Sequence, residues 1–225
     1  MLSKRLQAVA DMVTPGYVVA DVGTDHGYVP IYLVKNNIAP KAYAMDINEG
    51  PLQKAKQNIK KEGLEKEIDT ILSDGMKGLK PDTAESVIIA GMGGELIVRI
   101  LKESKVNDTL SEMVLSPHRD VDLVRTYIIE SGWHIERETM TIDAGKYYNV
   151  MKIMPGEESK KYNKTELMYG RHLLQEKNPI LKEYLQKEYN KFKRIHEKMK
   201  QNQSRDIGMI EETLLEIRKG LDSYD

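Results

Sequence analysis

The chain contains no cysteine among its 225 residues. That absence excludes disulfides, thiolate zinc sites and a cysteine nucleophile. It also lacks charge of one sign. The formal net charge is −1, so no global basic field announces nucleic acid, and any such contact has to come from local patches. The five histidines (26, 118, 134, 172 and 196) form no H-x-x-x-H pair, which argues against a metal site. No apolar run approaches the roughly 20 residues that span a bilayer. The N-terminal MLSKRLQAVADMV is too polar and too short for a signal peptide, so a soluble cytoplasmic protein is expected. Internal repeats and low-complexity tracts are absent as well.

What is present is an alternation of strands and helices as far as Met154. Helix is expected over Leu2–Met12, Tyr28–Asn37, Glu49–Glu62, Gly94–Ser104 and Asp120–Ser131. Strands are expected at Val18–Gly23, Lys41–Ile47, Ile68–Asp74, Ser86–Ala90 and Glu112–Ser116. Such alternation with short loops implies a parallel sheet covered by helices, with every strand's C-terminal end on one side. Two β-rich runs follow, Trp133–Ile142 and Tyr147–Met154. The Asp143-Ala144-Gly145-Lys146 turn between them suggests a hairpin. An α/β chain closing on an antiparallel hairpin is similar in layout to the class I S-adenosylmethionine-dependent methyltransferases, a Rossmann-like, mostly parallel seven-stranded sheet.

Composition shifts at Pro155-Gly156, giving an expected division into residues 1–155 and 156–225. In the second part Leu181, Leu185, Phe192, Ile195 and Met199 lie near one helix face, and Ile207, Ile210, Leu214, Ile217 and Leu221 step by three and four. With Gln201-Asn202-Gln203-Ser204 as a turn, these segments predict an antiparallel helical hairpin or coiled coil.

Four constellations carry chemistry. In the first, an apolar strand ends in Asp21-Val22-Gly23, and Asp25 and Gly27 follow. This loop could wrap the methionine end of a cofactor, with a carboxylate near its ammonium group, or be an ordinary strand–helix turn. Asp46, followed by Ile47, closes the second strand, where an acid can accept both ribose hydroxyls of an adenosine. The competing role is a helix cap, which Asn48 could also fill. Asp74-Gly75 closes the third strand, where the acid can bond an adenine amino group, or it is a turn. Acids at three successive strand ends point together to adenosine. Finally, Gly91-Met92-Gly93-Gly94 follows the fourth strand at the topological switch point, where glycines let a planar base approach the backbone.

The LSKRL start, the DVGTDHGYVP run, Gly50-Pro51, Ser73-Asp74-Gly75 and IAGMGG together resemble the bacterial tRNA (adenine(22)-N1)-methyltransferases, as does the helical C-terminal hairpin. The resemblance implies S-adenosylmethionine as cofactor, a class I fold and methyl transfer to N1 of an adenine in tRNA. Members of that family often have Glu at the position of Asp46, and Gln-Pro-Asn where this chain has Ser116-Pro117-His118-Arg119.

For such a reaction Asp25 is the candidate carboxylate beside the developing positive charge, the alternative being that it binds the cofactor. His26 would orient the base or accept a proton, and Tyr28 would stack on a flipped adenine. Candidate RNA contacts are Lys4, Arg5, His118, Arg119, Lys191 and Arg194. Arg171–Lys200 carries nine Lys/Arg against four Glu, which favours tRNA contact over a merely solvated face. A monomer without metal is expected. The competing readings are a methyltransferase acting on rRNA, protein or a small molecule, a dehydrogenase, and a non-catalytic RNA-binding protein with the same fold.

Overall fold

The computed structural model describes residues 2–202 and 207–225. The described residues fall into two compact units, Met1–Ser159 and Lys160–Asp225. No helix among them is long and apolar enough to cross a membrane.

In the first unit the elements run α1 (Lys4–Ala10), β1 (Val19–Val22), α2 (Tyr28–Lys35), β2 (Ala42–Asp46), α3 (Glu49–Glu62), β3 (Ile68–Leu72) and β4 (Ser86–Ala90). Then come α4 (Gly94–Glu103), β5 (Glu112–Ser116), α5 (Val121–Glu130), β6 (Trp133–Asp143) and β7 (Lys146–Pro155). The seven strands form one sheet in the order β3-β2-β1-β4-β5-β7-β6. The first five are parallel, and β7 runs antiparallel to both β5 and β6. Order therefore reverses between β1 and β4, which opens a crevice at their C-terminal ends.

The expected elements of the first unit are all present; several ends are trimmed, whereas β6 runs on to Asp143 and β7 spans Lys146–Pro155, so the expected four-residue turn narrows to Ala144-Gly145. Ser3 shortens the first helix by capping it, its hydroxyl accepting from the Leu6 N–H. The third strand stops at Leu72, so Asp74 stands in the following turn and not on the strand. The β6–β7 turn has Ala144 and Gly145 both at positive φ, 47° and 76°. That is the backbone of a type I′ hairpin, whose twist matches the flanking strands.

The core lies on both faces of the sheet. Val9, Val19, Leu33, Ala42, Ile59, Ile88 and Val114 pack into one cluster, drawn from α1, α2, α3 and the central strands. Val87 and Ile89 point the opposite way from Ile88 and are equally buried. One charged pair is enclosed at the antiparallel end: Arg125 Nε donates to Glu138 Oε1 at 2.8 Å, both side chains buried.

The second unit holds α6 (Lys164–Tyr169), α7 (Arg171–Gln175), α8 (Pro179–Gln201) and α9 (Ile207–Asp222). His196 meets Glu211, Tyr189 meets Arg218, and Gly220 packs beside Leu185, so α8 and α9 run antiparallel. Leu181, Leu185 and Ile217 are the buried positions of the expected seam. The expected turn begins where α8 ends at Gln201 with Asn202 as its cap; its Gln203 and Ser204 lie outside the described residues. The two short helices were not resolved as separate elements by sequence pattern. Their signal is Asn163-Lys164-Thr165-Glu166, which forms a full capping box in the structure.

Candidate active site

The loop after β1 lies at the crevice. Gly23 has φ 77°, His26 59° and Gly27 71°, so the chain turns through three left-handed residues before α2 begins. Left-handed backbone is costly for a non-glycine residue such as His26 and clusters at functional sites. Both Gly23 N–H and Thr24 N–H donate to the Met45 carbonyl at 2.8 Å, tying the loop to β2. The space a Cβ on Gly23 would occupy is taken by Met92 Cε, from the loop after β4. The two loops that flank the crevice thus touch across it.

Asp21 is buried, and its Oδ2 accepts from the Thr24 hydroxyl at 2.6 Å. Burial pushes its carboxyl up to about 6, and the nearby Asp25 and Asp46 carboxylates add to the rise, while the Thr24 bond and the Arg5 guanidinium oppose it. Asp25 is exposed, with Oδ1 3.2 Å from His26 Nε2. The His26 ring stacks on Tyr28, centroids 5.4 Å apart and planes 8° from parallel. Asn58 Nδ2 donates to the His26 carbonyl at 2.9 Å and fixes the loop to α3.

At the end of β2, Asp46 Oδ1 accepts from Asn48 N–H at 2.7 Å. Neither Asp46 nor Asn48 caps α3 through its side chain, so the helix-cap reading of Asp46 fails on geometry. Ile47 beside it is exposed at 59%, an apolar side chain held in the open next to the crevice. β3 joins β2 here, with Ser73 N–H donating to the Asp46 carbonyl. Asp74 pairs with Lys77 at 2.6 Å and faces Arg99 at 3.6 Å, and the Lys77 bond holds its carboxyl below the usual range. Gly75 follows against Ile100.

The loop after β4 is interlocked with the loop after β5. Gly91 N–H donates to the Ser116 carbonyl, His118 N–H to the Met92 carbonyl and Gly94 N–H to the Arg119 carbonyl, at 2.8–3.1 Å. This ladder brings His118 over Gly91, and Arg5 reaches the same place from α1: a Cβ there would lie 3.3 Å from Arg5 Nη1 and 3.8 Å from the His118 ring. Arg5 and His118 share a neighbour in Tyr148, with the guanidinium 5.5 Å from its ring centroid and the imidazole edge-on at 5.4 Å. Burial, Arg5 and Lys146 lower the His118 pKa and so favour its neutral imidazole. Arg119 lies against Gly93 and pairs with Asp120. Arg5 is therefore part of the crevice wall, with its own N–H held by Asp143 Oδ2. Tyr148 is a site residue that sequence pattern did not reveal.

The remaining candidates are Lys4, Lys191 and Arg194. Lys4 is exposed on α1. Lys191 pairs with Glu188, and Arg194 Nε donates to the Asn190 carbonyl; both belong to the second unit.

A buried carboxyl, acids after β1, β2 and β3, and a glycine-floored crevice at the strand-order reversal fit an adenosine cofactor with a charged amino-acid end. They define a class I methyltransferase, and a methyltransferase-domain family model matches residues 2–151. The chain is 34% identical over 205 residues to the tRNA (adenine(22)-N(1))-methyltransferase of Bacillus subtilis, covering 89% of this chain and 86% of that protein. Its fold superposes on the B. subtilis m1A22 tRNA methyltransferase TrmK with TM-score 0.84 at 30% identity, covering 100% and 97% of the two chains. On M. capricolum TrmK, solved in complex with the cofactor product S-adenosyl-homocysteine, the TM-score is 0.89 at 32% identity over the full length of both. The chain belongs to the tRNA (adenine(22)-N(1))-methyltransferase family.

Proposed function

We propose that this protein transfers a methyl group from S-adenosylmethionine to N1 of adenine 22 in tRNA. The observation that carries the reading is the acid series Asp21, Asp46 and Asp74 around interlocked glycine loops, in a chain 34% identical to the B. subtilis enzyme over 89% of its length. The cofactor supplies a methyl group made electrophilic by its sulfonium. Adenine N1 already carries an in-plane lone pair, so the protein's work is alignment and charge stabilisation.

In this reading Asp21, Gly23 and Gly27 form the methionine end of the cofactor site, and Asp25, on the exposed side of the same loop, faces the arriving base. Asp46 takes the ribose with Ile47 against the adenine face, and Asp74 and Gly75 take the adenine edge. Gly91, Met92 and Gly93 complete the cofactor site and floor it at the strand-order reversal, where the target base arrives. Arg5, His118 and Tyr148 wall it, and the His118 imidazole can hydrogen-bond the base. Lys4, Arg119, Lys191 and Arg194 meet phosphates. The protein acts as a cytoplasmic monomer.

Incubation with labelled S-adenosylmethionine and unmodified bulk tRNA, followed by nucleoside separation, is expected to place label in 1-methyladenosine mapping to position 22. Cofactor binding without label in tRNA would reject the substrate.

The buried Asp21 gives a second expectation. Pairing with the cofactor's ammonium group requires the ionised form, while the free protein holds the carboxyl protonated up to about pH 6. Cofactor affinity measured by calorimetry should therefore rise with pH up to about 6 and level off above it. The sign for folding is opposite: a carboxyl raised from 3.8 stabilises the fold less as pH climbs from about 4 through 6. Asp21→Asn should weaken cofactor binding about 10- to 100-fold at pH 7.5, the range for a lost hydrogen bond to a charged group, and flatten the pH profile. A variant that keeps the wild-type profile would remove Asp21 from the cofactor's charged end.

A further inference from the structure

A groove of about 400 Å³ runs away from the crevice along α2. It starts at Tyr28, 46% exposed and stacked on His26, and continues along the same helix face past Tyr32 to Lys35 and Asn36. Asn58, Lys61 and Glu62 of α3 form the opposite wall, with Glu62 engaged by Lys35. None of these residues except Tyr28 has a role in the reaction as read above.

The order of chemistries along the groove is specific. Tyr28 and Tyr32 lie one turn apart, about 6 Å along the axis, so the two rings stand in series, Tyr28 exposed and Tyr32 half-buried against the core. Tyr32 is oriented by Gln7, whose Nε2 donates to its hydroxyl at 2.9 Å. Beyond the rings stand the ammonium groups of Lys35 and Lys61. Lys35 is paired with Glu62, while α3 as a whole carries Lys54, Lys56, Lys60 and Lys61 against Glu49 and Glu62. Aromatic faces followed by cations along one track suit a single nucleic-acid strand, with bases on the rings and phosphates on the lysines. An acidic protein segment would use the lysines and leave two stacked-ring positions without purpose.

We infer that this groove seats the RNA strand flanking the target adenine, with one neighbouring base on Tyr32 and backbone phosphates on Lys35 and Lys61. The inference rests on the tRNA reading and adds the strand's path to it. Once the target base has left its stack, its neighbours lose a partner, and a groove that begins at Tyr28 offers one a replacement.

The test is the Lys35→Gln/Lys61→Gln double variant beside a control that removes two exposed lysines elsewhere, Lys80→Gln/Lys105→Gln. The groove variant is expected to raise KM for tRNA about tenfold, with kcat at saturating tRNA, cofactor affinity and melting temperature unchanged. Its log-affinity against log-salt slope should become shallower by about one to two, since each phosphate contact to a single strand contributes about 0.7. The control should match wild type. A 4-thiouridine placed next to the target adenine should cross-link to the peptide containing Tyr32. Unchanged KM in the groove variant, an equal effect in the control, or a cross-link elsewhere would overturn the inference. If the wild-type chain does not methylate tRNA, the function proposed above fails on its own. Filter binding of a single-stranded oligonucleotide then decides the groove: weaker binding by the groove variant alone supports it, and equal binding by all three proteins overturns it.

Discussion

Gly94→Ala is expected to lower stability by about 3 kcal/mol and to abolish most of the methyl transfer. In a helix interior, glycine to alanine ordinarily stabilises by about 1 kcal/mol, so the expected sign here is reversed. The reason is contact with backbone. A Cβ on Gly94 would overlap the Asp120 carbonyl oxygen, and it would lie 2.9 Å from Asp120 Cβ and 3.0 Å from the Arg119 carbonyl. Main chain cannot step aside as a flexible side chain can. The loops after β4 and β5 would have to part, and that strains the Gly94–Arg119, His118–Met92 and Gly91–Ser116 bonds together. Each is worth about 1 kcal/mol net, and overpacking alone costs about 1–3 kcal/mol. A chain of this size should then melt roughly 6–12 °C lower. His118 and Arg119 would leave the crevice wall in the same movement. Gly50→Ala is the control. It lies in α3 with nothing within 4 Å of its added Cβ, so a small rise in melting temperature is expected. Wild-type melting of Gly94→Ala would show that the two loops are not rigidly joined.

The contrast between these glycines marks the limit of what the sequence made legible. Central strands were readable because both faces of the sheet are covered, so Val87–Ile89 and Met113–Leu115 are unbroken apolar runs. The hairpin was readable because Ala144-Gly145 is turn chemistry at the right length. The acids after β1, β2 and β3 were readable because parallel topology sends all strand ends to one side. What the sequence withheld depends on partners distant along the chain. Arg5 and Tyr148 meet from opposite ends of the first unit, and no local pattern links them. Asp74 looked like an open strand-end acid, yet it is engaged by Lys77 and by Arg99 from α4. If it takes the adenine amino group, it does so as a carboxylate already held in place. Sequence placed Gly94 in a glycine-rich loop, but only the fold shows that the Asp120 main chain fills its side-chain position.

Asp25→Ala is expected to lower kcat about 100-fold while leaving cofactor affinity within about twofold, the scale seen when one charge-stabilising group is lost. Methylation at N1 places a positive charge on the adenine ring, so a carboxylate beside the ring favours the transition state over the ground state. Asp25 suits that role by position. It precedes the left-handed His26, its side chain is exposed in the free protein, and its Oδ1 lies 3.2 Å from the imidazole that stacks on Tyr28. An arriving adenine would displace water from it and so strengthen its field. Asp25→Asn separates charge from shape, since the amide can still bond His26. A loss as large as that of Asp25→Ala would assign the effect to charge. Near-normal turnover in Asp25→Asn would assign it to the placement of His26 and Tyr28. Asp21 and Asp25 face the same loop from its buried and exposed sides, and the two variants should divide accordingly: Asp21→Asn weakens cofactor binding, Asp25→Ala slows methyl transfer. If Asp25→Ala instead loses the cofactor, both acids serve its ammonium group, and charge stabilisation of the methylated ring has to come from elsewhere in the crevice.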